Sequence, residues 1–211
     1  MPPGAGGPGV TQRLLVASTN AHKVAEIRAL LEPLGFEVVT GTGLPEVVED
    51  GETFVDNARL KARSAAAATG ELALADDSGI AVDALGGEPG VRSARYAGED
   101  ATDAQNNRLL VERLEALGLG EAPAAFVCAM CVAAPDGTLV AESLARAEGL
   151  VRWPAEGPGG FGYDPLFFHP PSGCRFSELS QDAKGAVSHR GQALRALARL
   201  LEGTPDPRLD P

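Results

Sequence analysis

Apolar and polar positions along the chain follow two periods, and the switches between them mark its elements. Residues 13–17 (RLLVA) form a short apolar run, the pattern of a buried strand. Ser18-Thr19-Asn20 then supply a polar turn and cap. Val24, Ile27, Leu31 and Leu34 recur at helical spacing until Pro33 and Gly35 stop the pattern. A second strand is predicted over 36–40, followed by an acidic, glycine-bearing loop over 41–51. Thr53, with Asp56 three residues on, resembles a capping box and opens a helix over 53–68 whose buried stripe is Phe54, Ala58, Ala62 and Ala65. Residues 100–117 read as a helix with Leu109, Leu110, Leu114 and Leu117 apolar. The continuous apolar run 126–134 reads as a central strand, and Pro135-Asp136-Gly137-Thr138 turns it into a partner over 139–147. A last helix follows residues 184–191 and buries Leu194, Leu197, Leu200 and Leu201. Neither repeat nor linker interrupts the series, so one domain is expected over 13–203. The segments 1–12 and 204–211, rich in Pro and Gly or Pro and Asp, are expected to be disordered tails.

One stretch breaks the pattern. The apolar run 72–75 leads directly into two carboxylates, Asp76 and Asp77, then Ser78, Gly79 and a second apolar run at 80–82. An unpaired ionised carboxylate is costly to desolvate, so the strand is expected to emerge here. Because consecutive strand residues face opposite sides, one carboxylate should point to the sheet rim and the other into a cleft. Turn chemistry alone accounts for a DDSG sequence equally well.

Composition narrows the partners. The 211 residues are 44% hydrophobic and 22% charged, enough for one sizeable core, and the formal net charge is −11. That balance argues against nucleic acid or an anionic membrane as partner. A small polyanion would need local cations. No apolar run reaches the roughly 20 residues of a membrane span. Three cysteines offer no disulfide framework, which points to a reducing, cytoplasmic setting. Cys128 and Cys131 form a C-x-x-C, but on a strand positions i and i+3 face opposite sides, so both are expected to be buried small hydrophobes.

The candidate chemistry lies at the ends of elements. A strand, a short polar loop and a helix start form a phosphate-binding arrangement, since the first helical N–H groups are unpaired and the macrodipole favours an anion; Lys23 lies in that first turn. Simple capping by Ser18 or Asn20 explains the same residues. Asn57 and Lys61, spaced i to i+4, share a polar face. The loop 157–165 is rich in Gly and Pro and carries Phe161 and Tyr163, so backbone can approach a ligand while a ring stacks on it. Lys184, His189 and Arg190 cluster at a second helix start capped by Ser188. No Walker-type G-x-x-x-x-G-K-[ST] occurs.

The segments VASTNAHKVAEI, GETFVDNARLKA, LADDSGIAVDALGGEPGVRSARYAGEDATD, GPGGFGYDPLFF and KGAVSHRGQAL occur in the order seen in the inosine triphosphate pyrophosphatase family, which the chain resembles from Leu14 to about Leu201. The resemblance implies an α/β fold with a central mixed β-sheet, flanking helices and two lobes around a long cleft, assembled as a homodimer. It implies Mg²⁺-dependent hydrolysis of ITP, dITP or XTP to monophosphate and pyrophosphate. On the matching positions, Ser18, Thr19, Asn20 and Lys23 would grip the triphosphate, and Asn57 would face the cleft. Asp77 would activate water and approach the metal, and Ser78 would contact substrate. Phe161, Gly162, Tyr163 and Asp164 would hold the base, with Tyr163 stacking, while Lys184, His189 and Arg190 would complete the base and phosphate contacts. The acidic loop would add a metal carboxylate; Glu49 matches best, with Glu46 and Asp50 as alternatives. Two other readings compete: a Maf-type pyrophosphatase, against which SHRGQAL and FGYDP speak, and a nucleotide-binding protein without turnover, against which Asp76 and Asp77 speak.

Overall fold

Among the described residues, seven strands form one sheet: β1 (Gln12–Val16), β2 (Phe36–Thr40), β3 (Ala73–Val82), β4 (Glu121–Ala133), β5 (Leu139–Arg152), β6 (Phe167–His169) and β7 (Cys174–Arg175), in the order β2-β1-β3-β4-β5-β6-β7. This computed structural model describes residues 12–18, 20–41, 43–157 and 160–202, apart from the side chain of residue 22. The tails expected at either end lie outside those residues, except that β1 starts at Gln12. β1 pairs parallel with β2 and β3, and every other pairing is antiparallel. The sheet is therefore mixed, with helices on both faces, as the family resemblance implied.

Helices α1 (Ala21–Leu31) and α5 (His189–Leu201) cover one face, where Ile27, Leu31, Leu194 and Leu197 pack with Leu14, Leu74, Cys128 and Met130. Helix α2 (Phe54–Thr69) covers the other, setting Ala58, Ala62 and Ala65 against Leu15, Ala75 and Cys131. The two cysteines thus fall in different apolar clusters on opposite faces, as their spacing on a strand requires. β3, β4 and β5 extend beyond these helices. Their far halves carry a third cluster, where Ile80, Val82, Phe126 and Val151 meet Phe167, Phe176 and two leucines of α3 (Asp103–Ala116), Leu110 and Leu114. The long strands thereby join two lobes.

Several boundaries move. β3 does not end at Asp76; it runs unbroken from Ala73 to Val82 and carries both aspartates through its middle. β4 begins at Glu121 and β5 continues to Arg152, because both strands serve both lobes. α3 starts at Asp103, where Thr102 and Gln105 make a reciprocal capping box. Leu34 leaves the α1 stripe for an exposed 3-10 turn, Glu32–Leu34. The last helical region is split by Ser188 into α4 (Gln181–Val187) and α5.

Candidate functional site

Asp76 and Asp77 lie at the junction of the two lobes, and both are buried, at 4% and 7% exposure. Strand alternation sends them to opposite faces of the sheet, and each face supplies its own cations. Toward α1 and α5, Lys23 Nζ lies 2.8 Å from Asp76 Oδ2, Ser78 Oγ donates to the same oxygen at 3.2 Å, and Arg190 Nε stands 3.8 Å away. Toward α2, Lys61 Nζ donates to Asp77 Oδ1 at 3.1 Å and Asn57 Nδ2 to Asp77 Oδ2 at 3.2 Å. This is why the strand carries two charges through the core: each carboxylate is paired and hydrogen-bonded where it is desolvated.

The two carboxyls consequently differ. Burial would raise Asp76, but the charges of Lys23 and Arg190 and the Lys23 hydrogen bond outweigh it, holding Asp76 well below the usual carboxylate range. Burial dominates at Asp77 and raises it, with Lys61 and Asn57 offsetting only part of the effect and Glu49 adding to it. Asp76 is a fixed anion, whereas Asp77 is the more basic of the pair. Neighbouring carboxyls with diverging environments mark acid–base assignments.

Lys61 bridges Asp77 to the acidic loop. Its ammonium lies 3.3 Å from Glu49 Oε2 and stays charged because Asp77, Glu49 and Asp76 together overcome its own desolvation. Glu49 is half-buried, whereas Glu46 and Asp50 are exposed. Asn57, fully buried, also accepts from Gly51 N–H at 2.8 Å and ties the loop to α2. Glu49 and Asp77 are hard oxygen donors sharing one cation, a donor set that suits Mg²⁺. Among the described residues no group of three acidic, His or Cys side chains could hold a metal; Mg²⁺ commonly binds through one or two carboxylates with phosphates and water completing its shell, so the two fit.

Two cavities meet here. A cleft of about 940 Å³ is lined by Ser18, Asn20, Lys23, Glu49, Lys61 and Arg95, among others. Its size lies in the roughly 300–1,000 Å³ range of small-molecule sites. At the α1 start, Asn20 Oδ1 accepts from Lys23 N–H and Ser18 Oγ from Asn20 N–H, both at 3.2 Å. Asn20 thus caps α1, while Ser18 Oγ holds the N–H of the capping residue itself. Thr19 lies outside the described residues.

The second cavity, about 160 Å³, shares Asn20 and Lys23 with the cleft and extends between Ser78, Phe161, Tyr163 and His189. Lys184 and Asp164 form a buried ion pair on its wall, and Asp164 Oδ2 accepts from Phe161 N–H at 3.0 Å. Lys184 belongs to α4, not to the start of the last helix, but Ser188 brings His189 and Arg190 up beside it. The His189 ring stacks on Phe126 at 4.7 Å and 7°. Burial first, then Arg190 and Lys184, hold its pKa well below the ordinary value, so it is a neutral imidazole. Arg190 donates to Glu26 Oε2 at 2.7 Å and Ser78 Oγ at 3.1 Å. Two buried atoms of these residues, His189 Nδ1 and Arg190 Nε, have no hydrogen-bond partner, although Arg190 Nε stands 3.8 Å from Asp76 Oδ2.

Tyr163 lines the smaller cavity; its ring is buried and its hydroxyl donates to Ser93 C=O at 2.8 Å, which fixes the ring in the wall. Phe161 is the half-buried ring, with Lys184 Nζ 4.5 Å and Arg190 Cζ 5.6 Å from its centroid. The i to i+4 spacing of Asn57 and Lys61 suggested that both look toward the cleft; Lys61 lines it, and Asn57 lies fully buried behind it. Sequence reasoning missed Arg95 and Glu26, for which the sequence carries no local signal.

Residues 14–200 match the Ham1 family. A dITP/XTP pyrophosphatase of Desulforamulus reducens is 47% identical over 193 residues, covering 90% of this chain and 95% of that one. One from Thermus thermophilus is 46% identical over 93% of this chain and 95% of its own length. Among solved structures, a HAM1 protein from Coxiella burnetii superposes with a TM-score of 0.85 at 39% identity, covering 92% of this chain and all of that one. The Ham1 protein of Staphylococcus aureus superposes at 0.80 with 35% identity, covering 91% of this chain and 99% of that one.

Proposed function

The chain belongs to the Ham1 family, and from that premise we propose that it hydrolyses dITP, XTP and ITP to the monophosphate and pyrophosphate, with Mg²⁺ as cofactor. The observation that carries this reading is the adjacent carboxylate pair, one locked as an anion and one raised: Asp76 lines the cation-lined cleft itself, and Asp77 sits behind Lys61 and Glu49, which line it. The relatives named dITP/XTP pyrophosphatase support it.

In this reading the triphosphate lies along the cleft. Lys23 and the positive N-terminal end of α1 hold the triphosphate tail by charge, in the ground state as in the transition state. Lys61 does the same from the α2 side. Asp77 accepts the proton of the attacking water as the new P–O bond forms and the bridging P–O bond between the α and β phosphates breaks. Asp76 keeps Lys23 and Arg190 in place. Glu49 and Asp77 would hold Mg²⁺, which when bound supplies Lewis-acid stabilisation of phosphate charge.

The base occupies the smaller cavity against Phe161, bounded by Ser78, Gly162, Tyr163 and Asp164 and by the Lys184 ion pair. His189 Nδ1 and Arg190 Nε, buried without partners, are the atoms that an oxygen or nitrogen on a purine edge would satisfy. We assign the enzyme a cytoplasmic, homodimeric role in clearing non-canonical purine nucleotides, on the strength of the family resemblance. The test is pyrophosphate release from ITP, dITP, XTP, GTP and ATP, with Mg²⁺ and with EDTA. Release much faster from the first three than from GTP and ATP, lost in EDTA and demanding more Mg²⁺ in Glu49→Gln, is the expected result. No release from any nucleotide would refute the reading.

A further inference from the structure

The loop that forms one wall of the small cavity is held from outside the sheet. Helix α3 is anchored in the far lobe by Leu110 and Leu114, both fully buried, and turns a polar strip toward the site. Asp103 and Asn107, one turn apart, grip the same residue from both sides. Asp103 Oδ2 accepts from Gly162 N–H at 2.6 Å, and Asn107 Nδ2 donates to Gly162 C=O at 3.0 Å. Asn106 grips a second lining segment, around the 3-10 turn Gly90–Arg95, in the same way. Its Oδ1 accepts from Ala97 N–H at 2.8 Å and its Nδ2 donates to Ala94 C=O at 3.1 Å.

Positions i, i+3 and i+4 share one helix face, so a single strip holds two lining segments, which Tyr163 also ties directly through its hydroxyl to Ser93 C=O at 2.8 Å. Asp103, Asn106, Ala94 and Gly162 all line the cavity. Gly162 adopts φ +60°, a left-handed conformation that favours glycine. It has no side chain to hold it, so the two hydrogen bonds from α3 orient the peptides that carry Phe161 and Tyr163. Both main-chain polar atoms of Gly162 are thereby engaged within the protein.

We propose that Asp103, Asn106 and Asn107 are positioning residues for nucleobase discrimination: they fix the width of the small cavity and hence the preference among purine triphosphates, without acting on the phosphates. The inference rests on the pyrophosphatase reading above and deepens it. A supporting shell that lets the first contacts drift by even 1 Å is expected to blur selectivity before it abolishes turnover.

The test compares kcat/KM for ITP, XTP, GTP and ATP, the Ki of pyrophosphate and the unfolding midpoint in three variants. Asn107→Asp removes no volume but turns a donor into an acceptor against the Gly162 carbonyl. Asp103→Ala removes the acceptor, and Asp103→Asn retains one. The ITP-to-ATP ratio should fall about tenfold in Asn107→Asp and Asp103→Ala, the scale of one mismatched hydrogen bond. Asp103→Asn should keep most of the ratio, and the Ki of pyrophosphate should stay at the wild-type value. Unchanged ratios, or an equal fall for all four nucleotides, would overturn the inference while leaving the wild-type activity intact. Wild-type protein inactive on every nucleotide would instead bring down the functional reading and this inference with it.

Discussion

Replacing Asp76 by Asn tests how the core tolerates the charges it contains. The substitution keeps the volume and removes the charge that Lys23 meets at 2.8 Å and Arg190 at 3.8 Å. Breaking a buried pair by removing one partner costs about 3–5 kcal/mol, mostly because the remaining charge is left uncompensated. Arg190 retains Glu26 at 2.7 Å, and the Lys23 side chain keeps 19% exposure toward the cleft. Both facts favour the lower end, about 3 kcal/mol. For a chain of this size each kcal/mol shifts the midpoint by about 2–4 °C, so Asp76→Asn should unfold about 6–12 °C below wild type. Thermal unfolding at pH 7 in EDTA measures this. A cycle with Lys23→Met isolates the pair, since the double variant should recover part of the loss. A midpoint for Asp76→Asn within about 2 °C of wild type would show that the network contributes no net stability and refute the account of why β3 carries the charge.

Three further outcomes are expected. Asp77→Asn should bind nucleotide but lose about 10²–10⁴-fold in turnover, the usual loss of a general base; single-turnover rates close to wild type would rule it out as the base. Lys23→Ala should raise KM for the triphosphate more than it lowers kcat, as removal of a ground-state charge contact does, and a pure kcat loss would argue against that role. His189, neutral and depressed in the folded state, binds a proton only after unfolding, so the stability it contributes is full above about pH 6.5 and declines as pH falls below it. Denaturant midpoints at pH 5 to 8 should therefore fall less steeply in His189→Gln than in wild type; parallel curves would contradict a buried neutral imidazole.

The local pattern was enough to place much of the fold. Thr53 and the alanine stripe specify α2 because a cap and a 3.6-residue period depend only on neighbours in sequence. The C-x-x-C resolves into two buried thiols because strand alternation is a local property. Motif order also pointed to Lys23, Glu49, Phe161 and His189, which line the cleft or the smaller cavity, whereas Asp77 and Asn57 lie behind the lining. Other features depended on the tertiary structure. The sequence suggested that β3 should stop at Asp76, because charge in an apolar run is costly to bury. The cations that remove that cost lie 53 residues from Asp76 at Lys23 and 16 from Asp77 at Lys61, and Arg190 lies 112 residues from the neighbouring Ser78. The hydroxyl of Tyr163 finds its acceptor only because the 3-10 turn Gly90–Arg95 comes close enough to present Ser93 C=O. That approach requires Gly79, where an added Cβ would sit 2.2 Å from Ser93 Oγ. The grip of α3 on Gly162 spans 59 residues from Asp103 and 55 from Asn107, and no periodicity encodes it. Hydrophobic spacing reports which face of an element is buried, because burial follows from the element's own geometry. Which charge meets which counter-charge follows from how the elements are packed, and only the folded chain decides that.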